Sequence, residues 1–144
     1  MGRILAIDYG TAKLGFAISD ETKTIAGKLP QFFIKNKDEA VEAILLVLKS
    51  NPDIEKVLFG LPIGIDYKPT QMSEEVKKFV EKLRPSVPTN IEISFTFEVL
   101  STKQAEQGKK KKFKQEKSDS EAARIFLQEY LDHIAMTKGA NSQE

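Results

Sequence analysis

Three carboxylates stand where strands end and a helix begins, and together they suggest one kind of chemistry. Asp8 closes the apolar run from Arg3, Glu98 closes the alternating run from Ile91, and Asp119 falls in the first turn of a C-terminal helix. Each has a plainer explanation. Asp8 and Gly10 would also build a hairpin turn, Glu98 has the parity of the polar side of its strand, and Asp119 complements a helix dipole by about 0.3–1 kcal/mol. A shared role explains all three at once. Magnesium and manganese prefer carboxylate and water oxygens, and two such ions about 3.5–4 Å apart activate water and stabilise the leaving oxygen of a phosphodiester. The chain has no cysteine and one histidine, His133 near its end. Zinc sites, disulfides and thiol nucleophiles are therefore excluded, and any metal must be held by oxygen. The formal net charge of +1 argues against indiscriminate binding to polyanions. The basic charge is local, in Gly108–Lys117 (GKKKKFKQEK), where Lys109, Lys110, Lys111, Lys112 and Lys114 would steer a nucleic-acid backbone or simply form a solvated loop.

These residues need elements to hold them. Residues 3–8 and 14–19 are short β-rich runs joined by a turn at Tyr9–Lys13, and a third extended run that includes Phe32, Phe33 and Ile34 completes an antiparallel meander. Residues 38–49 open with two acids and hold no Gly or Pro, which predicts a mostly buried helix. A strand at 56–60 then leads into a loop over LPIGIDYKP. A second helix starts near Thr70 and runs to about Leu83, with Val76, Phe79, Val80 and Leu83 on one face, until Pro85 and Pro88 stop it. Residues 91–98 alternate, with Ile91, Ile93, Phe95 and Phe97 opposite Glu92, Ser94, Thr96 and Glu98. Ser118–Glu121 has the form of a capping box, and Ala122, Ala123, Phe126, Leu127, Tyr130, Leu131 and Ile134 form the stripe of a last helix. The expectation is one α/β domain over 1–136, with a mixed sheet and helices on both faces, and a frayed polar tail over 137–144. No stretch approaches the ~18 apolar residues of a membrane span, and no leader-like segment opens the chain, so a cytoplasmic location is expected.

The motifs resemble the YqgF family, which is similar in fold to RNase H and to Holliday-junction resolvases and whose members are described as pre-16S rRNA nucleases. The resemblance spans nearly the whole chain. It rests on Ile7-Asp8-Tyr9-Gly10-Thr11 with Lys13 and Gly15, and on Gly60-Leu61-Pro62 with Asp66. It continues in Leu100-Ser101-Thr102 with Ala105-Glu106, and in Lys117-Ser118-Asp119-Ser120 leading into Ala122-Ala123 and Leu127–Leu131. It implies an RNase H-like five-stranded sheet and Asp8, Glu98 and Asp119 as catalytic acids holding Mg2+ or Mn2+. Lys13, Ser101 and Thr102 would then face nucleic acid, either a ribosomal RNA precursor or branched DNA, in a monomer or weak dimer. Two departures stand out. The family usually has Asp-Glu-Arg where this chain has Phe97-Glu98-Val99, and an asparagine where it has Ile65. Arginine would touch phosphate or orient a carboxylate bidentately, and valine does neither.

The reading is a metal-dependent nuclease acting on structured nucleic acid, in 5′-end processing of pre-16S rRNA. Its rivals are a resolvase of branched DNA and a non-catalytic RNA-binding or ribosome-assembly module whose site was eroded at Phe97 and Val99. The Asp-x-Gly-Thr opening also resembles the first phosphate motif of sugar kinase and actin ATPases, which close two such domains around ATP.

Overall fold

The computed structural model describes residues 2–64, 66–99 and 119–142, with the side chains of Val99, Asp119 and residues 138–142 outside that description. Ser101, Thr102, the lysines at 109, 110, 111, 112 and 114, Ile65 and Ser118 all lie outside the described residues.

The elements are β1 (Arg3–Tyr9), β2 (Lys13–Ser19), β3 (Ala26–Phe33), α1 (Lys37–Ser50), β4 (Ile54–Ile63), α2 (Gln71–Leu83), β5 (Glu92–Val99) and α3 (Asp119–Ser142). The five strands form one sheet in the order β3-β2-β1-β4-β5. β1, β2 and β3 make an antiparallel meander, whereas β4 lies parallel to β1 and β5 parallel to β4. This is the mixed RNase H-like sheet that the motifs imply.

Strand alternation sends side chains to two separate cores. Leu5, Ile7, Leu14, Phe16, Val57 and Phe59 meet Ile44 of α1 and Val76, Phe79 and Val80 of α2 on one face. Ile4, Ala6, Ala17 and Leu58 meet Ala123, Phe126, Leu127 and Leu131 of α3 on the other. The α3 side of the sheet is built of smaller residues, so a single helix packs close to it.

The first two helices begin close to where the sequence predicts. Thr70 caps α2, accepting from Ser73 N at 3.1 Å while Ser73 Oγ accepts from Thr70 N at 3.0 Å. Asn36 caps α1, and its side chain accepts from Glu39 N at 2.9 Å. α1 is less buried than expected, with Leu46 55% exposed on its outer face.

Two boundaries differ from the sequence reading. β4 does not stop at Gly60 but continues through Leu61, Pro62 and Ile63. Proline is tolerated there because the register of β1 with β4 ends at Ile7 and Phe59, while β5 stays paired as far as Ile63. Pro62 thus occupies a local edge, where a missing N–H interrupts no ladder. α3 continues to Ser142, past the point at 137 where a frayed tail was predicted. Near the start of that extension Thr137 Oγ1 donates to His133 O at 3.0 Å. Among the described residues no helix is long and apolar enough to cross a membrane.

Candidate functional site

Sheet polarity puts several features at one end. β1, β4 and β5 finish where α1 and α2 start, since α1 follows β3 and α2 follows β4. α3 begins there too. Its Ser120 meets Phe16 at the middle of β2, whereas its Gln128 meets Thr24 and Ala26 at the far hairpin and its Tyr130 meets Lys56 near the start of β4, so the helix runs away from the Asp8 end. Three helix N-termini, each carrying roughly half a positive charge, therefore flank the sheet end that holds Asp8.

Asp8 is half-buried and opposite Gly15 of β2. It follows Ile4 and Ala6 in alternation and so faces the α3 side. Glu98 is half-buried and shares that side, because Ile93 and Phe95 of the same strand pack with the other core. Ile7, Phe59 and Phe95 align across β1, β4 and β5, so the next row holds Asp8, Gly60 and Thr96. Glu98 lies one row higher on that face, opposite Pro62. With strands ~4.8 Å apart and ~3.3 Å rise per residue, the Asp8 and Glu98 backbones stand about 12 Å apart.

The third acid is fixed only by its backbone. Asp119 is the first residue of α3, and its neighbour Ser120, 4% exposed, accepts from Phe16 N at 3.1 Å. Since Phe16 pairs with Ile7 and Gly15 with Asp8, this contact sets the start of α3 beside Asp8. Among the described residues no three acids or histidines group at metal-binding range. The donor set that the sequence names is all oxygen, which fits magnesium or manganese.

Lys13 opens β2 on the same side, half-buried and opposite Phe33 of β3. Phe97 points to the α1–α2 side and is 66% exposed. The position where the family usually carries aspartate is thus turned away from Asp8. Asp66 sits in the turn after β4, where its side chain accepts from Lys68 N at 3.1 Å and the backbone places Tyr67 at φ 62. His133 is exposed on α3, far from this end.

The family model for RuvX, described as Holliday junction resolvase, matches residues 2–133. The chain belongs to the RuvX, or YqgF, family. A RuvX relative from Sulfurihydrogenibium sp., named "Putative pre-16S rRNA nuclease", is 36% identical over 99% of this chain and 98% of its own. Another of the same name, from Caldanaerobacter subterraneus subsp. tengcongensis, is 38% identical over 90% of this chain and 96% of its own. T. thermophilus RuvC, solved in complex with Holliday junction substrate, is 16% identical with a TM-score of 0.45, over 91% of this chain and 94% of its own, a likeness too loose to bear on function.

Two site features of this RuvX chain escaped the sequence reading. The first is Ser120, which looked like part of a capping box but reaches across the fold to β2. The second is Gly60, where an added Cβ would lie 2.7 Å from Phe126 Cε2. A glycine at a strand end was the only trace of that contact in the sequence. Glu121, the other end of the expected capping box, pairs with Arg124 at 2.6 Å and with Lys28 at 3.5 Å. These cations hold its carboxyl down at about 2, the Arg124 hydrogen bond first among the causes.

Proposed function

We propose that this protein is a metal-dependent nuclease that hydrolyses phosphodiester bonds in structured nucleic acid, with the 5′ end of pre-16S rRNA as its substrate. The observation that carries the reading is the placement of Asp8 and Glu98 on one face at one end of the sheet, with the start of α3 pinned beside Asp8. The names of the relatives supply the substrate.

Asp8, Glu98 and Asp119 would hold Mg2+ or Mn2+, which when bound supplies charge stabilisation at the phosphoryl oxygens and activates water. The chain's own groups do the rest. Lys13 and the three helix N-termini attract and orient the phosphate backbone, and the lysines at 109, 110, 111, 112 and 114, with Ser101 and Thr102, extend that grip along the strand. Water adds across the P–O bond: its oxygen joins phosphorus, and the leaving oxygen departs with a proton. The protein works in the cytoplasm on a ribosome precursor, as a monomer or weak dimer.

A second substrate, branched DNA, is favoured by the family's description as a resolvase. One experiment separates these readings: cleavage of end-labelled structured RNA and a four-way DNA junction with Mg2+ or Mn2+, comparing the natural protein with Asp8→Asn. RNA cleavage that the variant loses, while its unfolding transition is unchanged, is the expected result. Cleavage of the junction alone would make DNA the substrate. No cleavage of either, with binding intact, would leave a non-catalytic binding module.

A further inference from the structure

We propose that Ser120 is a positioning residue that fixes the axial position of α3, and with it Asp119, relative to Asp8. This rests on the metal-dependent reading of the Asp8 face.

The need for such a residue follows from how α3 is held. Below its first turn, α3 meets the sheet through Ala123, Phe126, Leu127 and Leu131, all apolar and buried, and through the polar contacts of Gln128 and Tyr130 nearer its other end. The apolar contacts are non-directional. They hold the helix against the sheet and set which side faces inward, but they bond to no particular backbone group. One residue of slip moves the first turn about 1.5 Å, and displacements near 1 Å at a reacting centre cost on the order of 100-fold in rate. The directional contact closest to Asp119 therefore has the most direct hold on where the first turn sits.

Ser120 makes that contact. Its hydroxyl, buried within the first turn, accepts from the backbone N–H of Phe16 across 104 residues of sequence. The strand supplies this donor at a particular place. The register of β2 with β3 shifts between Leu14 and Phe16, where β3 carries Pro30, a residue with no N–H for the ladder. Phe16 is also the partner of Ile7, one residue before Asp8. The register shift in one strand pair and the serine of the helix thus meet at Phe16, whose partner in β1 is the neighbour of Asp8. Gln128 anchors the other end of the contact, donating to Thr24 O at 2.9 Å and accepting from Ala26 N at 2.9 Å. That anchor lies more than two helical turns from Asp119, toward the opposite end of the sheet from the site.

The test compares the natural protein with Ser120→Ala, Leu131→Ala and Asp8→Asn. Mn2+ binding to each protein without substrate is titrated by calorimetry, and amide exchange at Phe16 is followed in parallel. The expected result is that Ser120→Ala weakens Mn2+ binding about tenfold, as loss of an orienting neighbour does at metal sites, and speeds exchange at Phe16. Leu131→Ala, which loosens α3 far from the site, keeps the natural affinity for Mn2+. If Ser120→Ala binds Mn2+ as the natural protein does, or Leu131→Ala loses as much affinity, Ser120 is only a structural residue and the inference is overturned. If the natural protein binds no Mn2+ and Asp8→Asn does not differ from it, the metal-dependent reading itself falls and Ser120's role falls with it.

Discussion

Replacing Gly60 by alanine tests how closely α3 is held over the site. The backbone at Gly60 lies outside the left-handed region, so alanine is conformationally allowed there. By restricting the unfolded chain, it would even gain about 0.4–1 kcal/mol. The obstacle is Phe126, whose Cε2, Cζ and Cδ2 would stand 2.7, 3.0 and 3.1 Å from the new methyl. Carbon atoms attract best at about 3.5–4.0 Å, so the ring must retreat by about 1 Å. At 2% exposure, and packed among the α3 core residues, it retreats only if the helix lifts. Overpacking of this kind costs about 1–3 kcal/mol. The clash outweighs the entropic gain and leaves a net loss of about 1–2 kcal/mol, or roughly 3–6 °C in Tm at ~3 °C per kcal/mol. Thermal unfolding of Gly60→Ala, Phe126→Leu and the double variant reads this out. The leucine side chain is smaller than the ring, so the double variant should be more stable than the two single losses predict, with a coupling of about 0.5–3 kcal/mol. Gly60→Ala matching the natural Tm, or losses that simply add, would refute the argument that Phe126 fills the space over Gly60. Because Gly60 lies in the row of Asp8, cleavage should fall further than the stability loss accounts for.

Three other variants probe separate parts of the structure. Thr70→Ala removes a side chain that caps α2 at Ser73 N and donates to Pro62 O at 2.7 Å, and should lower stability by about 1–2 kcal/mol, read as a lower urea midpoint at unchanged m-value. Glu121, whose carboxyl is held down from 4.5 to about 2, contributes stability that is complete above pH 4.5 and lost as pH falls through about 2. The stability gap between the natural protein and Glu121→Gln should therefore stay level from neutral pH to about 5 and close below it, as followed by urea unfolding at each pH. Phe97→Asp restores the residue usual in the family, yet it sits on the side of β5 away from Asp8. Metal-dependent cleavage by this variant should match the natural rate, and a gain would mean that position 97 reaches the site.

The order of strands and helices could be read from the sequence because local pattern decided it. The alternation of Ile91 through Glu98, the helical spacing of Val76, Phe79, Val80 and Leu83, and the Thr70 cap each express backbone geometry within a few residues. The candidate acids were legible for the same reason: Asp8 and Glu98 mark the ends of strands, and Asp119 the start of a helix. The boundaries that failed were settled by neighbours. Pro62 looked like a loop residue until the pairing of β5 showed its missing N–H to be harmless. The end of α3 looked polar and loose because residues 137–142 carry no apolar periodicity.

By itself the sequence determined that this chain folds as alternating strands and helices, that any metal must be held by oxygen, and that it belongs with RuvX proteins. Those properties are carried by composition and by short-range spacing. Only the tertiary structure decided that Asp8 and Glu98 share a face, that Phe97 is turned from it, and that Phe126 closes over Gly60. It also decided that Ser120 ties the last helix to β2 across 104 residues. Strand order, register and helix docking bring together residues far apart in the chain, and no local pattern encodes which distant amide a buried hydroxyl will find.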